Sequence, residues 1–391
     1  MNKVILTHLR DRIFFGLWEQ DKPAELAFYD KEPQIKLGDI VLARVKDVVP
    51  NIRAAFVQLT SSQTAFLPLE QAPEGLRSGD EIAVQITKDA VKTKDPVVST
   101  KWSLTGRFVV LVTDTGKVSV SSKIHDAAWR TDVQEKLAQI LQTVTCGFIV
   151  RTEAYQASWE EIWQEAHSLL SEYHRICQAA KTRACYSILS KSESAWLSRF
   201  FGMTESMEIT TDIAEIHQQC ADFIAKYNLA SRLALRLYTD DKYPLAKLYG
   251  LKTIVEDALH KNVWLKSGGY LVIEPTEAMV VIDVNTGKSE SRKSKDEHIL
   301  KLNLEAADEV ARQMRLRNLS GMILIDFIDM RRAEDEEKLL SHLRQAVKND
   351  PVGVIVVDMT KLGIVECTRR KKAKPLHEQI NGLASKETFL Y

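Results

Sequence analysis

Charge of one sign is what this chain most plainly lacks. Its 391 residues carry 53 Lys and Arg against 53 Asp and Glu, so no overall field draws it to nucleic acid or a membrane surface, and a polyanion has to be held by local patches. Cysteine is scarce too. Cys146, Cys177, Cys185, Cys220 and Cys367 are an odd number, scattered and never spaced C-x-x-C, which argues against a disulfide framework or a zinc cluster and fits reduced thiols in a cytoplasm. No run approaches the about 18 apolar residues of a spanning helix. The opening MNKVILTHLRDRIFF has no long apolar segment before a small-residue cleavage site, so the expectation is a cytoplasmic protein, neither exported nor membrane-spanning. Glycine and proline are few, at 16 and 10, and 45% of the residues are hydrophobic. Such a chain folds, buries large cores, and is long enough for two or more domains.

What is present begins with short strands at Lys3 to Thr7 and Arg12 to Leu17, which have no complete core and must pair with something later. From about Leu37 come five closely spaced strands, DIVLARVKDV, AAFVQL, AFLPL, EIAVQITK and PVVST, the texture of a small β-barrel of the OB type. Alternation puts Ala55, Val57 and Leu59 on one face and Ala65, Leu67 and Leu69 on the matching one. Phe56, beside Ala54 and Gln58, and Phe66, beside Thr64 and Pro68, are left on the face that should be solvated. With Lys88 and Lys94 nearby, two such aromatics make a stacking platform for single-stranded nucleic acid; cover by another domain is the alternative.

A hairpin-like stretch, GRFVVLVTDTGKVSVSSKI, leads to a helix near Asp132 to Thr143 and a strand ending CGFIVRTEA. Arg151 and Thr152 at its end offer a charged fork and a hydroxyl to a phosphate, or are a solvated edge. The capping box Ser158 to Glu161 opens a helix with Ile162, Ala166, Leu169, Tyr173 and Ile176 on one face. Ser187 to Leu259 reads as mainly helical. His174, His217, His298 and His342 have no partner at metal-ligand spacing.

The stretch around which the chain is organised is VVIDVNTG, Val280 to Gly287, with MILIDFIDM, Met322 to Met330. Each is an aliphatic run ending in an aspartate, and a helix fits between them, so they read as parallel neighbours in a βαβ unit with GVIVVDM as a third strand. Asp283 and Asp326 would then emerge together at the carboxyl edge, where ligands of open α/β sheets bind. Two carboxylates suit Mg²⁺, which keeps waters and phosphate oxygens on its remaining positions. Asn285, two residues on, projects to the same side and can orient a water or a phosphate oxygen. Asp329 points to the opposite face if its strand runs straight. Turn chemistry alone also accounts for Asp-x-Asn-Thr-Gly. Gly287-Lys288-Ser289 echoes a P-loop, but Ile282 stands where its first glycine is needed.

VVIDVNTG, NLEAADEVARQMRLRNLSGMILIDFIDM and MTKLGIVECTRR resemble the catalytic region of the ribonuclease E/G family, single-strand-specific bacterial endoribonucleases. AAFVQL with AFLPL resembles its S1-like barrel, GFIVRT its sensor for a 5′-monophosphate, and LYTDDKYPLAKLYGLKTIVEDALHKNVWLKSGGY the join into its nuclease domain. The resemblance runs from near Met1 to about Arg370. It implies a multidomain α/β fold: a split RNase H-like domain (1–35 and 196–258), an inserted OB (S1-like) barrel (36–106), a 5′-sensor region (107–195), a DNase I-like catalytic α/β domain (259–380) and a tail (381–391). Asp283 and Asp326 match the family's metal-binding aspartates and Asn285 the asparagine beside them. Phe56, Phe66, Lys88 and Lys94 match barrel residues, and Arg151 and Thr152 the 5′-phosphate pocket.

Departures from the family accompany these matches. The paired-cysteine zinc link is missing, since only Cys367 lies near the end, and so is the small domain beyond it. No structural zinc is expected, and a monomer or dimer is favoured over a tetramer. Glu153 stands where a small neutral residue is usual, and facing inward it would repel a terminal phosphate. The run TRRKKAK, Thr368 to Lys374, either contacts RNA backbone or solubilises the terminus. The implied function is a Mg²⁺-dependent endoribonuclease, Mn²⁺ being an acceptable substitute, that cleaves single-stranded RNA in processing or decay and leaves 5′-phosphate and 3′-hydroxyl ends. The alternatives are an RNA-binding protein of the same fold without cleavage, and a phosphoesterase for small substrates.

Overall fold

The incomplete N-terminal strands find their partners far downstream. In the computed structural model, which describes residues 2–30, 35–89, 95–141, 145–203, 205–240, 242–287 and 295–381, the chain forms two compact units: Met1–Lys31 with Gly202–Tyr391, and Glu32–Phe201. In the first unit, Asn2–Leu9, Arg12–Glu19 and Lys22–Tyr29 form an antiparallel meander. Its free edge pairs in parallel with Met207–Thr211, which pairs in parallel with Leu233–Leu237 to complete a five-stranded sheet. These two strands correct the mainly helical expectation for Ser187 to Leu259. Neither alternates, since Met207–Thr211 is buried at every residue but Glu208 and Leu233–Leu237 only at Leu233, so no period of two marks them beside the flanking helices, and each owes its place to distant partners. Ile5, Phe14, Trp18, Leu26 and Phe28 pack with Leu245, Leu251, Val255, Leu316, Leu376 and Ile380. Each fully buried apolar side chain there contributes about 1.5–3 kcal/mol.

The first unit's second sheet has six strands in the order Asn262–Trp264, Tyr270–Pro275, Met279–Asn285, Gly321–Asp326, Ile364–Arg369, Val354–Met359. Met279–Asn285 and Gly321–Asp326 are parallel neighbours joined through the helix Lys295–Leu316, as the βαβ pattern requires. The third strand is present in the same sheet. Val354–Met359 lies one place farther out, because the turn at Thr360–Gly363 sends Ile364–Arg369 back between it and Gly321–Asp326, antiparallel to both. Val365, Cys367 and Arg369 of this strand face the core while Glu366 and Thr368 are exposed. Leu302, Ala306 and Val310 of the long helix and Leu339 and Leu343 of helix Ala333–Ala346 cover the same face. Cys367 is packed there as a small hydrophobe, its thiol pushed up to about 12 by burial.

Arg369 opens the basic run of the terminus, yet it is withdrawn from any polyanion. Its Nε donates to Asp350 at 2.8 Å with both side chains at 3% and 2% exposure, and a second nitrogen reaches Asn318 and the Leu319 carbonyl. Arg370, Lys371, Lys372 and Lys374 stay exposed.

The second unit contains the expected barrel. Ile40–Val49, Ala54–Gln58, Thr64–Pro68, Val97–Ser99 and Glu81–Lys88 are neighbours in that order, and pairing of the last with the first closes the ring. Ala55, Val57, Leu59, Ala65, Leu67, Val84 and Val98 fill it. Beside it is a four-stranded sheet ordered Val118–Val120, Gly147–Val150, Val109–Val112, Ser103–Thr105. Val109–Val112 and Val118–Val120 are therefore not a hairpin: Gly147–Val150 enters between them, its Gly147 leaving room for the Lys117 and Thr115 carbonyls that a Cβ would strike at 2.3 and 2.6 Å. The helix expected from Asp132 begins at Ala127, where Asp126 caps the Trp129 amide; Thr143 lies outside the described residues. Helix Trp159–Thr182 carries both hydrogen bonds of the Ser158–Glu161 capping box and buries Ile162, Ala166, Leu170 and Ile176. Among the described residues, no helix is long and apolar enough to cross a membrane.

Candidate functional site

Asp283 and Asp326 stand directly opposite one another in the register of their parallel strands. Neighbouring strands are about 4.8 Å apart, so the two side chains rise side by side from the same face. Ile282, Val284 and Ile325, the residues between and beside them, point into the core and are at most 5% exposed. A register shifted by one residue would bury the acids and expose the aliphatics, so core packing fixes where the acids lie. Partial loss of water, and then the charges of Asp283 and Asp329, push the Asp326 carboxyl above its ordinary value.

Asn285 holds Asp283. Its Nδ2 donates to Oδ2 of Asp283 at 2.7 Å, which fixes the carboxylate's rotamer and leaves its other oxygen for a ligand. Just beyond, Gly287 takes φ of +61°, and a Cβ there would meet the Gly268 carbonyl oxygen at 2.2 Å. The chain can leave the strand at this point only as glycine.

Asp329 corrects the straight-strand expectation. The strand ends at Asp326, and the chain turns so that Asp329 acts electrostatically on Asp326. Asn303 fixes that turn. Fully buried on the long helix, it donates to the Ile328 carbonyl at 2.8 Å and accepts from the Ile328 amide at 3.2 Å. Its signal in the sequence is an asparagine on the apolar face otherwise made by Leu302, Ala306 and Val310, where only a paired amide is tolerated.

Among the described residues, no group of three or more His, Cys, Asp and Glu is arranged as a ready cage for a metal. What the edge offers is carboxylate oxygens from Asp283 and Asp326, with like-charge repulsion that a cation would relieve. This donor set fits a hard, largely hydrated ion such as Mg²⁺ and lacks the nitrogen and sulfur ligands that zinc prefers.

In the second unit, Phe56 sits opposite Phe66, Phe66 opposite Val97, and Val97 opposite Lys88. The two rings meet edge to face at 6.0 Å, both half-buried, and Lys88 is exposed. The alternation is as expected except at Ala54, which is fully buried opposite Pro68. Lys94 lies outside the described residues. Among the described residues, this face is an aromatic pair with Lys88 two strands beyond Phe66, four strands in all.

Arg151 and Thr152 lie where Gly147–Val150 ends, each engaged within its own unit. Arg151 donates to the Gly106 carbonyl at 2.7 Å and rests 5.6 Å from the Phe201 ring, while the Thr152 hydroxyl is 3.0 Å from that of Ser121. Glu153 pairs with Arg107 at 3.7 Å and is one-fifth exposed, so its charge is balanced locally. Sequence reasoning passes over Glu165. From the capped helix it accepts the Phe108 amide at 3.0 Å on both oxygens, holding the loop that carries the Arg151 acceptor, and burial pushes its carboxyl up to about 7.

The model of the ribonuclease E/G family matches residues 103–372, which include both aspartates. Ribonuclease G of Salmonella typhimurium is 31% identical over 359 residues, covering 86% of this chain and 73% of that protein. Ribonuclease G of Haemophilus influenzae is 31% identical over 366 residues, covering 87% and 73%. Ribonuclease E of a Nostoc species is 30% identical over 382 residues, 93% of this chain and 55% of that protein. The match takes in both aspartate strands and most of the second unit, and on that extent the chain belongs to the ribonuclease E/G family.

Proposed function

We propose that this ribonuclease E/G-type enzyme is a Mg²⁺-dependent endoribonuclease for single-stranded RNA in RNA processing or decay, leaving 5′-phosphate and 3′-hydroxyl ends. The observation that carries the proposal is the register pairing of Asp283 with Asp326 in a chain of this family. Asp283 and Asp326 would hold the ion, and Asn285 keeps Asp283 in its binding rotamer. Bound there, a divalent ion supplies Lewis-acid polarisation of a phosphate oxygen and lowers the pKa of a coordinated water. Phe56 and Phe66 take unpaired bases by stacking, and Lys88 accompanies the backbone, contacts that duplex RNA, with its bases already stacked, does not satisfy. Arg151 and Thr152 are the candidates for reading a 5′-monophosphate. In domain terms, the five-stranded sheet is the RNase H-like part, the closed barrel the S1-like part, and the six-stranded sheet the DNase I-like part, working as a monomer or dimer in the cytoplasm.

The test is incubation of 5′-monophosphorylated and 5′-hydroxyl single-stranded RNA with the wild type and Asp326→Asn, with and without Mg²⁺. Internal cleavage that needs both the metal and Asp326 supports the assignment. Unchanged binding with no cleavage by the wild type under any condition leaves an RNA-binding protein of the same fold.

A further inference from the structure

Helices Ala127–Ile140 and Trp159–Thr182 enclose a groove of about 630 Å³ that the nuclease chemistry leaves unexplained. Trp163 lines it at 40% exposure, an unusual place for an indole when the same helix has already buried Ile162, Ala166, Leu170 and Ile176 in the core. Trp159, Trp163, His167 and His174 recur at spacings of four, four and seven, so they form one stripe down the helix. The Trp163 and His167 rings have centroids 4.1 Å apart. Across the groove, the Lys136 ammonium lies 5.3 Å over the Trp159 ring.

We propose that this groove is a stacking subsite for single-stranded RNA, taking an unpaired base on Trp163 and the adjoining phosphate beside Lys136. The inference rests on the reading of the chain as an RNA enzyme. Its own support is the lining: two indoles and two imidazoles stand with Lys136, Gln139 and Ser171 beside the aliphatic Ile140 and Leu170, and no carboxylate takes part. Two acids next to the lining have partners, Glu160 with Gln164 at 2.9 Å and Asp132 with Lys136 at 2.7 Å, the latter an exposed i,i+4 pair that a phosphate would share or displace. A partner helix would want a row of aliphatic anchors, and the groove offers only Ile140 and Leu170, whereas its four flat rings with one ammonium and one amide suit a nucleotide. The volume falls within the range of about 300–1,000 Å³ typical of ligand sites and exceeds what one side chain would fill.

The experiment titrates the full chain with a fluorescein-labelled oligoadenylate decamer by anisotropy without divalent metal, with the integrity of the RNA checked on a gel. Trp163→Ala should weaken binding about tenfold, the weight of one base stacked on an aromatic ring, with an unchanged melting temperature. Trp163→Phe keeps a ring and should bind within about threefold of wild type, while the RNA-induced quenching of tryptophan emission falls. Wild-type affinity in Trp163→Ala, or undiminished quenching in Trp163→Phe, overturns the assignment and leaves the groove to a protein partner. Those outcomes do not touch Asp326, and a failure of Asp326→Asn to stop cleavage would not alter this titration.

Discussion

Asn285 and Asp283 are joined through a 2.7 Å hydrogen bond between residues two apart on one strand. The asparagine therefore holds the acid in place. Asn285→Ala should lower the cleavage rate about 10- to 100-fold and raise the Mg²⁺ needed for half-maximal rate, as loss of a group supporting a ligand does. Asp326→Asn should cost roughly 100-fold or more at any Mg²⁺ level. Initial rates across a Mg²⁺ titration separate the two, and identical profiles would remove the positioning role.

Asn303→Leu removes both hydrogen bonds to Ile328 and leaves that partly buried backbone without them. The expected cost is about 1–3 kcal/mol in urea unfolding. Because the same turn carries Asp329, cleavage should also fall at temperatures where the variant is fully folded. Activity equal to wild type would show that the turn does not need its amide clamp.

Glu165 gives the fold a pH dependence whose sign can be worked out. Its carboxyl is pushed up to about 7 by burial, against about 4.3 for an unfolded chain. Between those values the folded form keeps a proton that the unfolded chain has released. Its contribution is thus full below about pH 4.3 and is lost as pH rises through about 7. In Glu165→Gln this dependence disappears. The stability of wild type relative to Glu165→Gln should fall by on the order of 2 kcal/mol between pH 5 and pH 8, read from urea midpoints; parallel curves would contradict it.

Phe56 and Phe66 are half-buried and touch edge to face. Replacing either with alanine should weaken single-stranded RNA binding by about 5- to 100-fold. Double-stranded RNA of the same length serves as the control. Equal losses on both substrates would mean that the rings support the barrel rather than the bases.

The aspartate pair was legible in the sequence because its signal is local: two aliphatic runs, each ending in an acid, with one helix between them. The barrel's faces were legible for the same reason, since a period of two survives in strands as short as Thr64–Pro68. What escaped depended on distant partners. Ile364–Arg369 looks like any alternating strand until its turn inserts it between two others. Arg369 reads as one of a basic cluster until Asp350 takes it inside, and Glu165 as a surface acid on an amphipathic helix until the Phe108 amide finds it. The side taken by Asp329 stayed conditional because no residue spacing announces that a strand stops.

The parallel edge between Asn2–Leu9 and Met207–Thr211 sets an order of events during synthesis. The first three strands leave the ribosome roughly 200 residues ahead of the strand that closes their sheet, an interval of roughly 10–40 s at synthesis rates of about 5–20 residues per second. For that time a flank rich in valine, isoleucine and leucine waits unpaired, open to foreign strands. Slow elongation, or truncation before Met207, should therefore send nascent chains into aggregates that the finished protein never forms.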